Sequence, residues 1–269
     1  MFDYHTHTQF NDGANTVDEM IEAAISLNMT EIGITDHFGY FPTDGSNSFC
    51  IFITIEDYFK DLNRAKEKYK DKIKVKATLE LDTYLENVRE MTSLINSFHP
   101  DYILGGIHQF NGIGYSHPES FSELTEYDYE VYLEELIKIV KTGTLDIMAH
   151  YFDYKTYYEF KDESRFYDYY KELVQALEDN NCIPEMNTSC FNTSFLGIKF
   201  KEDPNLFFWK ECAKRDIPVI ITSDSHDVPY FLTTAYKNYF RAKDILQRAG
   251  VKYTATFTDR KMSIEEIKY

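Results

Sequence analysis

The sequence predicts an α/β protein whose parallel strands close, or nearly close, into one barrel. Strand-like and helix-like segments alternate along the 269 residues and give seven β-α repeats. No Gly/Ser-rich linker interrupts them, so a single domain over residues 1–269 is expected. The segment 218–222 is almost continuously apolar, which suits a strand covered on both faces. An open doubly wound sheet is the alternative. The chain has no G-x-G-x-x-G or P-loop glycine pattern, which counts against the nucleotide-binding versions of that sheet.

Each element has a local reason. Residues 2–6 read as the first strand. Residues 17–27 carry Val17, Met20, Ile21, Ala24 and Ile25 on one helical face, and Thr16 with Glu19 offers a capping box. Residues 31–35 are the second strand, 55–69 a charged amphipathic helix, 75–81 the third strand and 85–98 the next helix. Strands at 102–107, 145–149 and 183–187 alternate with helices at 127–140, 166–178 and 205–215. After the seventh strand, 218–222, come a long helix at 231–249, a strand-like segment at 253–257 and a short charged tail. The connections 38–54 and 111–125 are long enough to suggest functional loops.

Composition bounds the function. The chain is 43% hydrophobic, enough to bury a sizeable core. With 28 basic and 45 acidic residues the net charge is −17, which disfavours nucleic-acid partners. A small phosphorylated substrate stays compatible, because bound cations reverse the field locally. No apolar run is long enough to span a membrane, and the first residues lack a signal-peptide pattern, so a cytoplasmic protein is expected. Cys50, Cys182, Cys190 and Cys212 form no C-x-x-C pair and read as structural thiols. Oligomeric state is left open.

Five segments carry the chemistry: His5-Thr6-His7, Thr35-Asp36-His37, Gly106-Ile107-His108, Met148-Ala149-His150 and Ser223-Asp224-Ser225-His226. Each follows a strand-like run, and a barrel collects strand ends at one mouth, where function sits. His5 and His7 lie two apart on a strand, so both side chains point the same way and can chelate one ion. Glu80, Asp224 and Asp12 occupy equivalent places. Imidazoles with carboxylates suit zinc, manganese or iron(II) rather than calcium.

These segments resemble the polymerase-and-histidinol-phosphatase (PHP) family of metal-dependent phosphoesterases. The matching pieces are Asp3-Tyr4-His5-Thr6-His7-Thr8 with Asp12-Gly13, Ile34-Thr35-Asp36-His37, Leu79-Glu80, Gly106-Ile107-His108, Ala149-His150, Glu185-Met186-Asn187-Thr188 and Ser223-Asp224-Ser225-His226. The resemblance implies a distorted (β/α)7 barrel and up to three divalent ions. The first would take His5, His7, Glu80 and Asp224; the second Glu80, His108 and His150; the third Asp12, His37 and His226. Where many relatives carry a histidine, this chain offers Asn11-Asp12-Gly13.

Chain length, without a polymerase or nuclease appendage, resembles the stand-alone histidinol-phosphate phosphatases. That likeness implies hydrolysis of L-histidinol phosphate by a metal-bound hydroxide, a step of histidine biosynthesis. The alternatives are another phosphoesterase of the family, acting on phosphotyrosine or nucleotide diesters, and a non-catalytic binding module. Asp224 and His226 are candidates to protonate the leaving group, with Glu80 shared between ions. Arg165, Asn187, Ser225 and Lys199 are candidate substrate contacts, the guanidinium being suited to bidentate phosphate binding. Phe38, Tyr40, Tyr115 and Phe191 are candidates to shelter an imidazole ring. His99, before Pro100, reads as a helix cap, and His117 lies on a loop.

Overall fold

Hydrogen bonds join the first strand to the last. In the computed structural model, which describes residues 1–39, 54–110, 113–114, 125–151, 162–191 and 205–269, His7 N–H donates to Ser225 O and Asp224 N–H to His5 O, both at 2.9 Å. Thr6 and Ser225 form a parallel bridge there. The remaining neighbours follow in parallel pairs. Strand β1 (Phe2–Asp3) lies beside β2 (Glu31–Ile34), and β2 beside β4 (Lys74–Ala77). Strand β3 (His37–Gly39) prolongs β2, and β5 (Glu80–Asp82) prolongs β4. The register runs on across the break, since Ile34 faces Ala77 and His37 faces Glu80. Then come β6 (Leu104–Gly106), β9 (Ile147–Met148), β10 (Ile183–Asn187) and β11 (Ile220–Thr222), reached in that order. The (β/α)7 barrel is therefore present, distorted by two broken strands. Two short strands, β7 (Gln109–Phe110) and β8 (Ile113–Gly114), form a hairpin after β6.

Helices clothe the barrel. They are α1 (Val17–Ser26), α2 (Ile55–Tyr69), α3 (Val88–Asn96), α4 (Glu126–Val140), α5 (Tyr167–Asp179), α6 (Leu206–Lys214) and α7 (Tyr236–Ala249). The capping box of Thr16 with Glu19 forms. Helix α7 is shorter than its apolar pattern suggests, because a π-helical turn, Phe231–Ala235, precedes it. His99 adopts a left-handed φ of 54° just beyond α3 and donates its N–H to Asn96 O, as a helix-ending residue does. One apolar cluster fills the space between helices and strands, with Leu62, Leu136, Leu173, Trp209 and Leu246 fully buried in it.

A second, smaller cluster closes the barrel floor. It contains Tyr4, Tyr102, Leu104, Ile147, Ile183, Ile220 and Phe257. Phe257 comes from β12 (Tyr253–Thr258), which pairs with β13 (Lys261–Glu266). Lys76 donates to Phe257 O and Thr258 Oγ1, and Phe257 N–H donates to the Tyr4 hydroxyl. The charged tail expected after residue 257 is thus the outer strand of a hairpin. Gly33 lies where strand meets floor. A Cβ there would sit 2.0 Å from the Tyr102 hydroxyl and 2.9 Å from Tyr4 Cα. Gly33→Ala is expected to cost about 3 kcal/mol by overpacking, read as a lower urea midpoint.

Candidate metal centre

The ends of the strands carry the chemistry at the opposite mouth. His5 and His7 leave β1, His37 opens β3, Glu80 opens β5, and His108, His150 and Asp224 follow β6, β9 and β11. Glu80 is fully buried at their centre. Its Oε2 lies 3.0 Å from His5 Nε2, 3.4 Å from His7 Nε2 and 3.0 Å from His37 Nδ1. Its Oε1 lies 3.3 Å from His108 Nε2 and 2.5 Å from His150 Nε2. Asp224 Oδ1 lies 3.1 Å from His7 Nε2 and 3.5 Å from His5 Nε2. Asp224 itself takes a left-handed φ of 53°, backbone strain of the kind held at functional sites.

The donor atoms fall into overlapping groups, each within 4.8 Å: His7, Asp12, His37 and His226; His5, His150 and Asp224; His5, His7 and Glu80; His37, Glu80 and His108. All nine residues named as ligands from the sequence are brought together. The grouping differs in detail. His7 joins the set around Asp12, and His150 also meets His5 and Asp224. Asp12-Gly13 forms a turn that also brings the Asp12 carboxylate to the cluster. Gly13 N–H donates to Thr8 O, and a Cβ at Gly13 would press within 2.7 Å of the His7 backbone. The turn leaves Asp12 Oδ2 3.4 Å from both His37 Nε2 and His226 Nε2.

Electrostatics show why these residues tolerate burial together. Burial opposes charge on His5, but Glu80, Glu185 and Asp224 overcome it and hold the ring well above its ordinary value. Burial alone would raise Glu80, yet His5, His108, His37 and His150 hold it well below the usual carboxylate range. Burial, helped by His226 and His37, drives His7 down to about 3, so its ring stays neutral with a lone pair to give. Both ring nitrogens of His7 and Oδ1 of Asp224 are buried without a well-formed hydrogen bond. Such orphaned atoms are costly in a protein interior unless something else satisfies them. Mixed imidazole and carboxylate donors aimed at one another fit divalent cations.

A supporting layer lies behind them. Glu185, which the sequence places in a motif without a role, is fully buried. Its Oε1 accepts from His5 Nδ1 at 2.6 Å and from Thr222 Oγ1 at 2.5 Å, while Oε2 accepts from His150 N–H at 2.8 Å. It fixes the orientation of the His5 ring so that Nε2 faces Glu80. The alternation of Glu185 and Asn187 on one strand face was the available signal. Asp36 accepts from Thr8 N–H and Oγ1, each at 2.7 Å, and steadies the loop that delivers Asp12. Asp3 accepts from His5 N–H at 3.1 Å and Ser223 N–H at 3.2 Å, tying the two ends of the ring. Glu185→Gln is expected to weaken metal affinity by about 10–100-fold, read by chelator competition.

The candidate substrate contacts have protein partners in this structure. Arg165 donates to Glu130 at 2.6 Å and pairs with Glu126, both on α4, so its fork is taken by two carboxylates. Asn187 is buried, with Nδ2 donating to Glu185 and Asp224 at 3.2 Å and Oδ1 accepting from Ser189 N–H. It holds both carboxylates in place. Ser225 is buried and donates to Ser223 Oγ at 2.6 Å. Phe191 is buried beneath Arg241, whose guanidinium stacks on its ring. Lys199, Tyr40, Tyr115, His117 and Cys50 lie outside the described residues.

Fold and mouth together define an α/β barrel whose clustered imidazoles and carboxylates could hold divalent metal. The chain belongs to the PHP domain family, whose model matches residues 3–189. It is 26% identical over 271 residues to a histidinol-phosphatase of Lactococcus lactis, covering 97% of this chain and 95% of that protein. It is 27% identical over 200 residues to a probable histidinol-phosphatase of Clostridium acetobutylicum, covering 71% and 74%. The crystal structure of histidinol phosphate phosphatase from Lactococcus lactis, complexed with zinc, L-histidinol and phosphate, superposes with a TM-score of 0.79 at 23% identity, covering 97% and 98% of the two chains.

Proposed function

We propose that this protein is a metal-dependent phosphomonoesterase that hydrolyses L-histidinol phosphate to L-histidinol and phosphate. The observation that carries the reading is Glu80. Each of its two carboxylate oxygens is faced by imidazoles from different strands, the arrangement of a carboxylate shared between cations. The likeness to curated histidinol-phosphatases over nearly the whole chain supports the substrate. Up to three ions, zinc or alternatively manganese or iron(II), would supply Lewis-acid stabilisation of the phosphoryl group and an activated water for in-line attack.

The chain's own residues prepare that chemistry. Glu185 and Asp82 orient the rings. Asp82 Oδ1 accepts from His108 N–H at 3.0 Å and lies 3.4 Å from His108 Nδ1. Asn187 and Ser189 hold Asp224 Oδ2, at 3.2 and 3.5 Å, leaving Oδ1 toward His7. His226 has a side chain 37% exposed at the rim, with Nδ1 against Asp224 O at 3.0 Å. Burial lowers it, but Asp12 and Asp224 raise it to about 9. With Asp12 and His37, His226 would complete the donor set for the outermost ion. No described helix is long and apolar enough to cross a membrane. The net charge of −17 argues for a small anionic substrate drawn by cations rather than a nucleic acid, and the reading carries a cytoplasmic location with it.

The test is a comparison of kcat/KM for histidinol phosphate, a phosphotyrosine peptide and nucleotide diesters on zinc- and manganese-loaded protein. Histidinol phosphate should lead by at least about 100-fold. Preference for another ester moves the substrate within the family, and full metal loading without turnover of any ester makes the chain a binding module.

A further inference from the structure

The hairpin that seals the floor leaves one strand edge open. Among the described residues, β13 pairs only with β12, and its exposed members are Lys261, Ser263, Ile264, Glu265 and Glu266. The two strands turn through Asp259 and Arg260, both with left-handed φ (49° and 59°), and Thr258 faces Lys261 across the turn. A two-residue turn of this kind makes the flanking pair hydrogen-bonded, and the pairs then alternate. Lys261, Ser263 and Glu265 therefore spend their backbone groups on β12. Ile267 N–H, which donates to Lys252 O, continues the same phase. The backbone groups of Met262, Ile264 and Glu266 point away from the hairpin.

We propose that this edge docks a second copy of the chain, as an antiparallel ladder about a two-fold axis through Ser263. Phase restricts the choice, because outward residues must meet outward residues. An axis at Ser263 sets Met262 opposite the partner's Ile264, Lys261 opposite the partner's Glu265, and Ser263 opposite itself. Each Met262–Ile264 pair exchanges both backbone bonds, and each Lys261–Glu265 pair matches charge on the other face. An axis at Ile264 would instead set Met262 against Glu266 and Lys261 against Ile267, losing both matches. Charged side chains on an exposed edge ordinarily discourage pairing, but here the two-fold brings opposite signs together. Ile264, 56% exposed, gains an apolar cover. The end of the strand also borders a groove of about 500 Å³ lined by Tyr236, Phe240, Lys243, Glu266 and Lys268, in which Phe240 is 51% exposed. A five-residue ladder buries less than the roughly 1,000 Å² of a permanent interface, so the dimer should be concentration-dependent, with Kd on the order of 10 μM.

Sedimentation velocity from about 1 to 200 μM tests this on the full chain. The protein should move from monomer to dimer across that range. Lys261→Glu alone and Glu265→Lys alone each set like charges across the axis and should weaken association at least about 10-fold, while the double exchange restores it. Ile264→Pro removes an outward N–H that the hairpin does not use. It should also give monomer, with circular dichroism showing the fold retained. Monomer throughout the range overturns the proposal, as does a dimer indifferent to the single charge reversals.

Discussion

Glu80→Gln is expected to lower phosphate release from histidinol phosphate by on the order of 1,000-fold and to reduce bound metal. The side chain keeps its size, so the effect reports charge. Glu80 is a fully buried anion faced by five imidazoles, and His5, His108, His37 and His150 all hold it ionised. Removing one member of a buried ionic cluster costs about 3–5 kcal/mol, since its partners stay behind uncompensated. The metal-free variant should therefore also melt lower than the metal-free parent. Metal analysis, kinetics and a thermal scan on the same preparations check all three. Activity within about tenfold of the parent would mean that the central carboxylate is structural, and its role as a carboxylate shared between ions would fall.

Stripping metal from the unaltered chain should have the second largest effect. Turnover should vanish with chelator and return with zinc. The melting temperature should fall by about 10 °C, because an ion present at 1,000 times its Kd adds about 4 kcal/mol to the folded state. The orphaned atoms of His7 and Asp224 are the reason to expect stabilisation as well as activity. If loaded and stripped protein melt together, the cage does not hold ions under those conditions.

Much of the architecture was legible because its signals are local. Helix α2 and strand β10 fall at the boundaries their patterns indicate, Ile55–Tyr69 and Ile183–Asn187. The third strand reads as continuous but breaks at Thr78 and Leu79, where Thr78 turns its hydroxyl to Tyr102 O and Glu80 enters the mouth. Strand β13 escapes a sequence reading because its turn, Asp259-Arg260, contains no glycine and both residues are held left-handed. The cluster at the barrel mouth was legible through recurring His and acidic residues at strand ends. The partners of the candidate substrate contacts were not. Whether Arg165 meets phosphate or carboxylate depends on how α4 lies beside it, and Glu126 and Glu130 are 39 and 35 residues upstream. Glu185 was hidden for a related reason, since its partners His5 and His150 come from other strands.

The seam between the first and seventh barrel strands has a consequence for biosynthesis on the ribosome. Asp3 is held by Ser223, and Tyr4 by Phe257, so each is locked by a residue made 220 or 253 positions later. His5 and His7 stay without their neighbours until the seventh strand and the floor hairpin have left the exit tunnel. Such long-range closure slows folding. Nascent chains arrested before residue 224 should carry loose imidazoles that scavenge metal poorly, and the completed cage should appear late and all at once.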